Sequence, residues 1–398
     1  MHNVVIVGGG PAGLSAALTA AVAGAPVLLL DSNPRLGGQY WRTPADNFGD
    51  QHENHFDLTT GLKLINSVKA QPNIQVLSGA QIWSASHKDG VSTLRVIYQG
   101  SEKIINTGNL ILATGAYDRS LPFPGWDIPG VMTPGGVQSL IKGHGVVAGK
   151  RVVVAGSGPF LLPVAAGLVK SGADVVELLE ANKSWRWASS ILVLLENLSK
   201  IKEGFYYIEA ISKGKVRARF GQAVVGAYAG ENGELESVDI AKIDRNFKIK
   251  KVRNIKCDVA AIGWGFTADT SLAGALGCKQ VVAKDESVVV LIDSKQQTSI
   301  TGVFAAGEIT GIGGSELSMI EGEIAGKSAA KFVGCAVDIS RSDLIIRAKK
   351  QRFANALIKS YPVKAGWISW LNGQTVVCRC EEVSVDNLKY AIDELGAT

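Results

Sequence analysis

Two short apolar runs in this chain each stop at a glycine-rich turn and are followed by a segment rich in alanine, leucine and valine. Val4–Val7 leads into the turn at residues 8–13, and Val152–Ala155 leads into the turn at residues 156–159. Short continuous apolar runs bounded by turn residues are typical of buried parallel strands. The longer segments that follow predict helices. The pattern therefore predicts an α/β fold with two Rossmann-like dinucleotide-binding domains, each built as a three-layer ββα unit.

The first turn matches G-x-G-x-x-G at Gly8, Gly10 and Gly13. In this pattern the first glycine permits a tight turn, the second leaves space for a pyrophosphate, and the third lets the helix pack close to the strand. The N-terminus of the helix favours an anion. Strand Val27–Leu30 then ends at Asp31, roughly 20 residues after the second glycine, where a carboxylate accepts ribose hydroxyls and repels a 2′-phosphate.

The second turn keeps Gly156 and Gly158 but has Leu161 at the third position. A leucine there moves the helix away from the strand or changes where the helix begins. Two interpretations stay open. The turn is a site for NAD(H) or another adenine nucleotide, or it belongs to a retained fold whose pocket has closed.

The acid after the second turn is Glu180, which occupies the position that Asp31 holds after the first. A carboxylate there favours a ribose without a 2′-phosphate. Lys183 and Arg186 follow it and would favour NADP instead. We take Glu180 as the stronger signal.

Composition narrows the class of protein. The 398 residues allow two or three domains, and the net charge of +5 comes from scattered basic residues without a nucleic-acid-binding pattern. Five cysteines are too few for a disulfide framework, and no C-x-x-C pair is present. Because the first predicted strand begins almost at residue 1, we expect no signal peptide, and no apolar run reaches about 18 residues. We expect a cytoplasmic protein without a membrane span.

The residues after Asp31 carry a family resemblance. Arg35–Gly38 forms R-x-G-G, and Gln39-Tyr40-Trp41-Arg42 follows it. This run resembles the FAD-binding pattern of the two-dinucleotide-domain flavoproteins, in the form found in the FAD-binding subunits of hydrogen cyanide synthase, opine oxidase and dye-linked L-proline dehydrogenase. Residues 113–116 and 302–308 are similar to later motifs of the same family, in the same order. The resemblance covers nearly the whole chain.

The resemblance also implies roles for individual residues. The backbone at Ala80 would hold the adenine, Glu308 would bind the ribityl hydroxyls, and the helix after residue 314 would direct its N-terminus at the flavin. Together with the first turn, these matches give the following candidate FAD contacts: Gly8, Gly10, Pro11, Ala12, Gly13, Asp31, Ser32, Arg35, Gly38, Gln39, Ala80, Ala113, Thr114, Gly115, Gly307 and Glu308.

The same order of motifs predicts a discontinuous first domain. Residues 1–118 and 289–333 would form the FAD-binding domain, and residues 119–288 an NAD(P)-binding-like domain. A short C-terminal tail, 334–398, would follow. Within the second domain we expect hairpins, one of them using the aromatic run Phe205–Glu209.

The tail contains the C-x-C pair Cys378 and Cys380, which resembles the first half of a small [2Fe–2S] domain. Such clusters need four thiolates, and no cysteine follows Cys380. The chain alone therefore does not complete the cluster. A truncated protein, an absent cluster and ligands from a partner all remain open.

The sequence contains neither a Ser–His–Asp set nor a histidine cluster for a metal. The resemblance implies an FAD and electron-transfer subunit of a heteromeric amino-acid or imino-acid dehydrogenase or oxidase, of proline, hydroxyproline, glycine or opine type. A second flavoprotein subunit would carry the site for the small-molecule substrate. The alternatives are a self-contained NAD(P)H-dependent flavoprotein reductase and a non-catalytic scaffold subunit that holds nucleotides.

Overall fold

The structure of the protein, a computed structural model, describes residues 4–43, 57–183, 193 and 196–397. Its α-helices, in chain order, are α1 (Pro11–Val22), α2 (Leu58–Ala70), α3 (Pro134–His144), α4 (Leu161–Lys170), α5 (Leu198–Lys213), α6 (Ser271–Leu276), α7 (Ser315–Phe332), α8 (Arg341–Ser360) and α9 (Val385–Asp393).

The strands carry most of the architecture. In chain order they are β1 (Val4–Val7), β2 (Val27–Asp31), β3 (Ile74–Ser78), β4 (Gln81–Lys88), β5 (Val91–Tyr98), β6 (Ser101–Thr107), β7 (Leu110–Leu112), β8 (Ala116–Asp118), β9 (Val131–Met132), β10 (Arg151–Gly156), β11 (Asp174–Glu180), β12 (Arg217–Phe220), β13 (Gln222–Ala229), β14 (Leu235–Ile243), β15 (Ile249–Lys256), β16 (Val259–Gly263), β17 (Phe266–Ala268), β18 (Gln280–Val282), β19 (Val288–Val290), β20 (Val303–Ala305), β21 (Val376–Cys378) and β22 (Val383–Ser384).

The chain divides into two compact units. The first contains residues 1–117 and 266–358, and the second contains residues 118–265 and 359–398. Residues 334–398, treated above as one tail, are thus shared between the two units. The assignment of functional domains within the chain stays a prediction.

The first unit is built on a parallel sheet with the strand order β20-β7-β1-β2-β3. Side chains of a strand alternate between the two faces of a sheet. Val4 and Ile6 accordingly pack into the core under α1, whereas Val5 and Val7 pack into the core shared with the antiparallel sheet β4-β5-β6. Helices, parallel sheet and antiparallel sheet form the three layers.

The second unit repeats this plan. Its parallel sheet has the order β12-β11-β10-β16-β9. Val152 and Val154 pack on the side of α3, α4 and α5, and Val153 and Ala155 pack toward the antiparallel strands β13, β14 and β15. The prediction of a mixed α/β fold with two Rossmann-like three-layer units is confirmed.

One predicted element is wrong. Residues 205–209 form no hairpin strand but lie inside helix α5. The aromatic run favoured a strand, yet Phe205 is 68% exposed, and the residues buried at this end of the helix are Ala210 and Ile211. Within the described residues, no helix has the length and apolar character that a membrane span requires.

Candidate functional site

The first glycine turn is sterically fixed. Gly8 has φ +104°, and a Cβ atom added there would lie 2.2 Å from the carbonyl oxygen of Ala113. A Cβ on Gly13 would lie 1.8 Å from the carbonyl oxygen of Gly8. Both distances are far below van der Waals contact, so only glycine allows β1, the turn and α1 to meet in this way.

Open space remains where the turn faces outward. A Cβ on Gly10 would meet nothing nearer than the Cα of Gly38, at 3.9 Å. Helix α1 begins at Pro11 without a side-chain cap. The first N–H groups of a helix have no partner within the helix and carry partial positive charge. The turn therefore offers an uncapped helix N-terminus to an anionic group.

Asp31 lies at the end of β2, beside this turn. Its Oδ2 accepts a hydrogen bond from the Gly9 N–H at 2.6 Å, and its Oδ1 accepts from the Asn33 N–H at 2.7 Å and from Asn33 Nδ2 at 3.1 Å. Burial raises the pKa of Asp31, and these three hydrogen bonds act in the opposite direction. The N–H of Ala80 donates to the backbone carbonyl of Asp31 at 2.8 Å, which places the predicted adenine-contact residue next to the predicted ribose-contact residue.

The loop after Asp31 folds back over the turn. The Gly37 N–H donates to the Gly9 carbonyl at 2.8 Å, and Gly38 has φ +60° and packs against Gly10. Gln39 is exposed, and its side chain accepts a hydrogen bond from Arg42. Of the remaining candidates in this loop, Arg35 is half-buried and Ser32 is exposed.

The predicted motif after β7 lies beside the same turn. The Ala113 N–H donates to the Val7 carbonyl at 2.8 Å. The Thr114 hydroxyl donates to the Asp269 carbonyl at 2.6 Å, so it fixes the backbone in this structure. Gly115 has φ +78° and open space around its Cα.

Glu308 begins a short 3-10 turn directly after β20. The preceding Gly307 has φ +82°, and a Cβ there would lie 2.8 Å from the Cβ of Ala12 on α1. Glu308 is half-buried. Burial raises the pKa of its carboxyl group, and a hydrogen bond from the Gly314 N–H opposes that shift.

A buried ion pair that the sequence did not reveal supports this turn. Glu321 of α7 is 1% exposed. Its Oε2 accepts hydrogen bonds from the Gly307 N–H at 3.1 Å and from the Thr310 hydroxyl at 2.9 Å, and its Oε1 lies 2.8 Å from Arg347 Nη2. Burial raises the pKa of Glu321, and Arg347 is the largest opposing influence. The pair holds the backbone of Gly307 and the side chain of Thr310, on either side of Glu308.

The second glycine turn matches the first at its first glycine but differs after it, because Gly158 has φ +118° where Gly10 has φ −80°, and α4 begins only at Leu161. Gly156 has φ +133°, and a Cβ there would lie 1.7 Å from the Gly263 carbonyl oxygen. Glu180 is 8% exposed; its Oε2 accepts from the Gly158 N–H at 2.9 Å and its Oε1 from the Asn182 N–H at 2.8 Å. The longer Glu180 thus occupies an N–H one residue further along its turn than Asp31 does. Lys183 is exposed, and Arg186 lies outside the described residues.

The burial of Glu180 predicts how the stability of the protein depends on pH. Burial raises its pKa to about 7 from an ordinary value of 4.5, against hydrogen bonds from Asn182 and Gly158. Between pH 4.5 and 7 the folded protein therefore keeps a proton on Glu180 that the unfolded chain has already lost. We expect the stabilisation from this group to be complete below pH 4.5 and to fall by roughly 3 kcal/mol as the pH rises to 7.

The measurement is urea unfolding of the wild type and Glu180→Gln at a series of pH values across this window. The glutamine does not titrate, so the wild type should lose stability relative to the variant as the pH rises. A constant difference between the two proteins across the window would contradict the raised pKa.

Comparison with known proteins identifies the family. The profile of the family described as pyridine nucleotide-disulphide oxidoreductase matches residues 2–331, which is most of the chain. The chain belongs to this family. Pyridine nucleotide-disulphide oxidoreductases of this type are FAD-dependent.

Among the similar sequences are subunits of two enzymes. An opine oxidase subunit from Agrobacterium tumefaciens is 29% identical over 98% of this chain and 78% of its own length. Hydrogen cyanide synthase subunit HcnB of Pseudomonas protegens is 30% identical over 98% of this chain and 85% of its own length. The resemblance predicted from the R-x-G-G region is confirmed.

The solved structure of L-proline dehydrogenase from P. horikoshii matches 98% of this chain and 66% of its own, with a TM-score of 0.68 and 18% sequence identity. Thioredoxin reductase from T. acidophilum matches 83% of the chain with a TM-score of 0.59 and 21% identity. At these identities the structures support the fold alone.

The residues of this oxidoreductase fit an FAD group at the first turn. Space is open at Gly10, the N-terminus of α1 is uncapped, and a carboxylate lies where the ribose is expected. A further sign is Ser315, the first residue of α7. It is 6% exposed, and its hydroxyl has no hydrogen-bond partner in the described part of the chain. Buried polar groups normally have partners, so this hydroxyl fits a site that a ligand completes.

The cysteines of this oxidoreductase are all free thiols. Cys378 ends β21 and is half-buried, and Cys380 is exposed. In the described residues, no group of three or more His, Cys, Asp or Glu side chains is arranged to hold a metal ion. The C-x-C pair therefore does not fit an iron–sulfur cluster on the ligands that this structure brings together.

Proposed function

We propose that this protein is the FAD and electron-transfer subunit of a heteromeric dehydrogenase or oxidase that acts on an amino or imino acid. A second flavoprotein subunit would hold the substrate, which would be proline, hydroxyproline, glycine or an opine. The observation that carries the proposal is the first turn, where an open, uncapped helix N-terminus lies beside the buried Asp31, the acid expected to bind the ribose. The relatives named as subunits of opine oxidase and hydrogen cyanide synthase support the subunit role.

Each end of the cofactor would have its own residues. Gly8, Gly10 and the N-terminus of α1 would bind the pyrophosphate, and Asp31 would accept the hydroxyls of the adenosine ribose. Glu308 would accept the ribityl hydroxyls. Bound FAD would supply the capacity to take up a hydride or single electrons.

Helix α7 would act at the reactive end. Its N-terminus has no side-chain cap, and Gly314, which precedes it, has φ +82°. The partial positive charge of a helix N-terminus stabilises negative charge nearby. The hydroxyl of Ser315, which has no partner among the described residues, would donate a hydrogen bond to the flavin and orient it.

Two alternatives lead to different results. A self-contained NAD(P)H-dependent reductase would bind a nicotinamide dinucleotide at the second turn. A scaffold subunit would hold FAD without passing electrons. The second turn has Leu161 at the position of the third glycine, and its Gly158 N–H is bonded to Glu180. Both features argue against a tight dinucleotide site at this turn and therefore against the reductase.

The proposal is tested by anaerobic spectroscopy of the purified chain loaded with FAD. NADH, NADPH and the candidate amino and imino acids are added in turn, first to the chain alone and then to the complex with its copurifying flavoprotein subunit. We expect the flavin of this chain to be bleached by an amino or imino acid only in the complex. Bleaching of the isolated chain by NADH would support the reductase, and a flavin that never reduces would support the scaffold.

Gly10→Val tests whether FAD binds at the first turn. The nearest atom to a Cβ at Gly10 is 3.9 Å away, so the variant is expected to fold, while its side chain fills the space for the pyrophosphate. We expect a folded, colourless protein. A Gly10→Val protein that retains one FAD per chain would show that the cofactor binds elsewhere.

A further inference from the structure

The two dinucleotide folds of this chain share a short sequence repeat. In each one, the acid at the end of the second strand is followed two residues later by asparagine, as Asp31 with Asn33 and as Glu180 with Asn182. In both folds the asparagine N–H donates to the acid, at 2.7 Å and 2.8 Å respectively. The first fold can therefore serve as an internal standard for the second.

The two asparagine side chains differ in what they bind. Asn33 Nδ2 donates to its own acid at 3.1 Å. Asn182 Nδ2 donates to the Ser157 hydroxyl at 2.8 Å and to the backbone carbonyl of Pro362 at 3.2 Å, and the side chains of Asn182 and Ser157 also interact with the carboxyl group of Glu180. Ser157 lies between the two glycines of the second turn, where the first turn has Gly9.

The segment that meets these side chains comes from the C-terminal part of the same unit. We call residues 361–370 the strap. The Ser157 hydroxyl lies 3.5 Å from the Tyr361 carbonyl oxygen, next to the contact between Asn182 and Pro362. Both Ser157 and Asn182 are buried, with exposed fractions of 4% and 6%. The strap therefore places two backbone carbonyl groups against the side chains of Ser157 and Asn182.

The far end of the strap is anchored in the core of this unit. Trp370 is 6% exposed, and its Nε1 donates to the Phe247 carbonyl at 2.8 Å. Its ring lies 6.2 Å from that of Phe247 and 5.8 Å from that of Trp264. A Cβ on Gly366 would lie 1.8 Å from the Asn246 carbonyl oxygen, so the strap and the β14–β15 connection are in direct backbone contact.

The strap contacts Ser157 and Asn182, on either side of the region where the ribose of a dinucleotide would lie, whereas the space beside Gly158 is open. In this fold the adenosine ribose binds between the acid and the glycine turn, and the pyrophosphate binds the N–H groups that follow. At the second turn the strap presents carbonyl oxygens, which repel phosphate and cannot donate to it. The Gly158 N–H is already bonded to Glu180. Ligand and strap would therefore compete for one place.

We propose that the strap closes the second dinucleotide fold, and that Ser157 and Asn182 determine its specificity by holding the strap in place of a nicotinamide dinucleotide. The inference rests on the proposed function in one respect, because it means that a partner protein, rather than NAD(P)H, delivers electrons to the FAD of this chain. It concerns residues 157, 182 and 361–370 alone, so it is testable without the partner.

The experiment compares the full-length wild type with the double variant Ser157→Gly/Asn182→Ala. The variant gives the second turn the Gly-Gly-Gly sequence of the first and removes the amide that reaches Pro362. Asn232→Ala is the matched control, because Asn232 is exposed and its side chain bonds within its own loop. Hydrogen exchange of peptides that cover residues 361–370 reports on the strap, and fluorescence titration with NADH and with ADP-ribose reports on the turn.

In the wild type and in Asn232→Ala we expect protected strap amides and no NADH binding up to about 1 mM. In the double variant the strap amides should exchange at least about tenfold faster, since each lost hydrogen bond weakens the closed state. NADH or ADP-ribose should then bind measurably. FAD content and partner-dependent reduction are measured separately, so a failure of the proposed function is distinguishable from a failure of this inference.

Three results would overturn the inference. The first is micromolar NADH binding by the wild type, and the second is strap exchange in the wild type as fast as in an unfolded peptide. The third is a double variant whose strap is released while its turn still rejects both ligands. If the double variant does not fold, the first two results, which need only the wild type, still decide the matter.

Discussion

Replacing Gly13 by alanine is expected to abolish FAD binding and to destabilise the first unit by about 1–3 kcal/mol or more. The added Cβ would lie 1.8 Å from the Gly8 carbonyl oxygen. Gly8 itself has φ +104°, so its backbone has little freedom to move away. The strand and the helix would have to separate, which moves the N–H groups of the helix N-terminus away from the pyrophosphate. FAD content after gel filtration and urea unfolding of the apoprotein measure the two effects.

Gly167→Ala is the control for this substitution. Gly167 lies in helix α4 with nothing within 4 Å of an added Cβ. Alanine favours a helix interior over glycine by up to about 1 kcal/mol, so this variant should be as stable as the wild type or more stable. If Gly13→Ala matched Gly167→Ala in both stability and FAD content, the steric account of the turn would be wrong.

The second large effect is expected from the ion pair under Glu308. Arg347→Met leaves the carboxylate of Glu321 buried without its cation and replaces the guanidinium group by a shorter, unbranched apolar side chain. Removing one partner of a buried pair costs about 3–5 kcal/mol, because the remaining charge is not compensated. The loss of order at Gly307 and Thr310, both bonded to Glu321, should also weaken FAD binding.

The double variant Glu321→Met/Arg347→Met should recover part of that stability, because no buried charge is left. Lys331→Met is the control, since Lys331 pairs with Asp338 on the surface, with exposed fractions of 63% and 80%. Surface pairs contribute about 0–1 kcal/mol. Urea unfolding of the variants distinguishes the outcomes: an Arg347→Met protein no less stable than Lys331→Met would show that Arg347 has no such role.

The parts of the site that sequence predicted are those that depend on local geometry. Gly8 and Gly13 were predictable because an added Cβ at either position would clash with neighbouring backbone. Asp31 was predictable because it lies at the end of the second strand, at the spacing that is expected for a ribose-binding acid. The roles of such residues depend on a short stretch of sequence, so a local motif is enough to predict them. Their contacts with FAD remain a prediction, whereas the fold that brings them together is confirmed.

The parts that sequence did not predict depend on distant partners. Glu321 and Arg347 are ordinary charged helix residues until the fold buries them against Gly307. Asn182 is different, because its repeat with Asn33 is visible in the sequence and could have indicated a shared role. The aromatic residues from Phe205 favoured a strand by type, yet tertiary context placed them in a helix.

The close packing of α1 against α7 sets the order of events at biosynthesis. A Cβ on Gly322 would lie 2.1 Å from the Ala12 carbonyl oxygen, and one on Gly326 would lie 2.6 Å from that of Ala16. The amino-terminal helix thus reaches its final neighbour about 300 residues later, which at typical translation speeds is a delay on the order of 15–60 s. During that interval the nascent helix exposes its apolar face on the ribosome, so chaperone contact at this stage is expected before the cofactor is loaded.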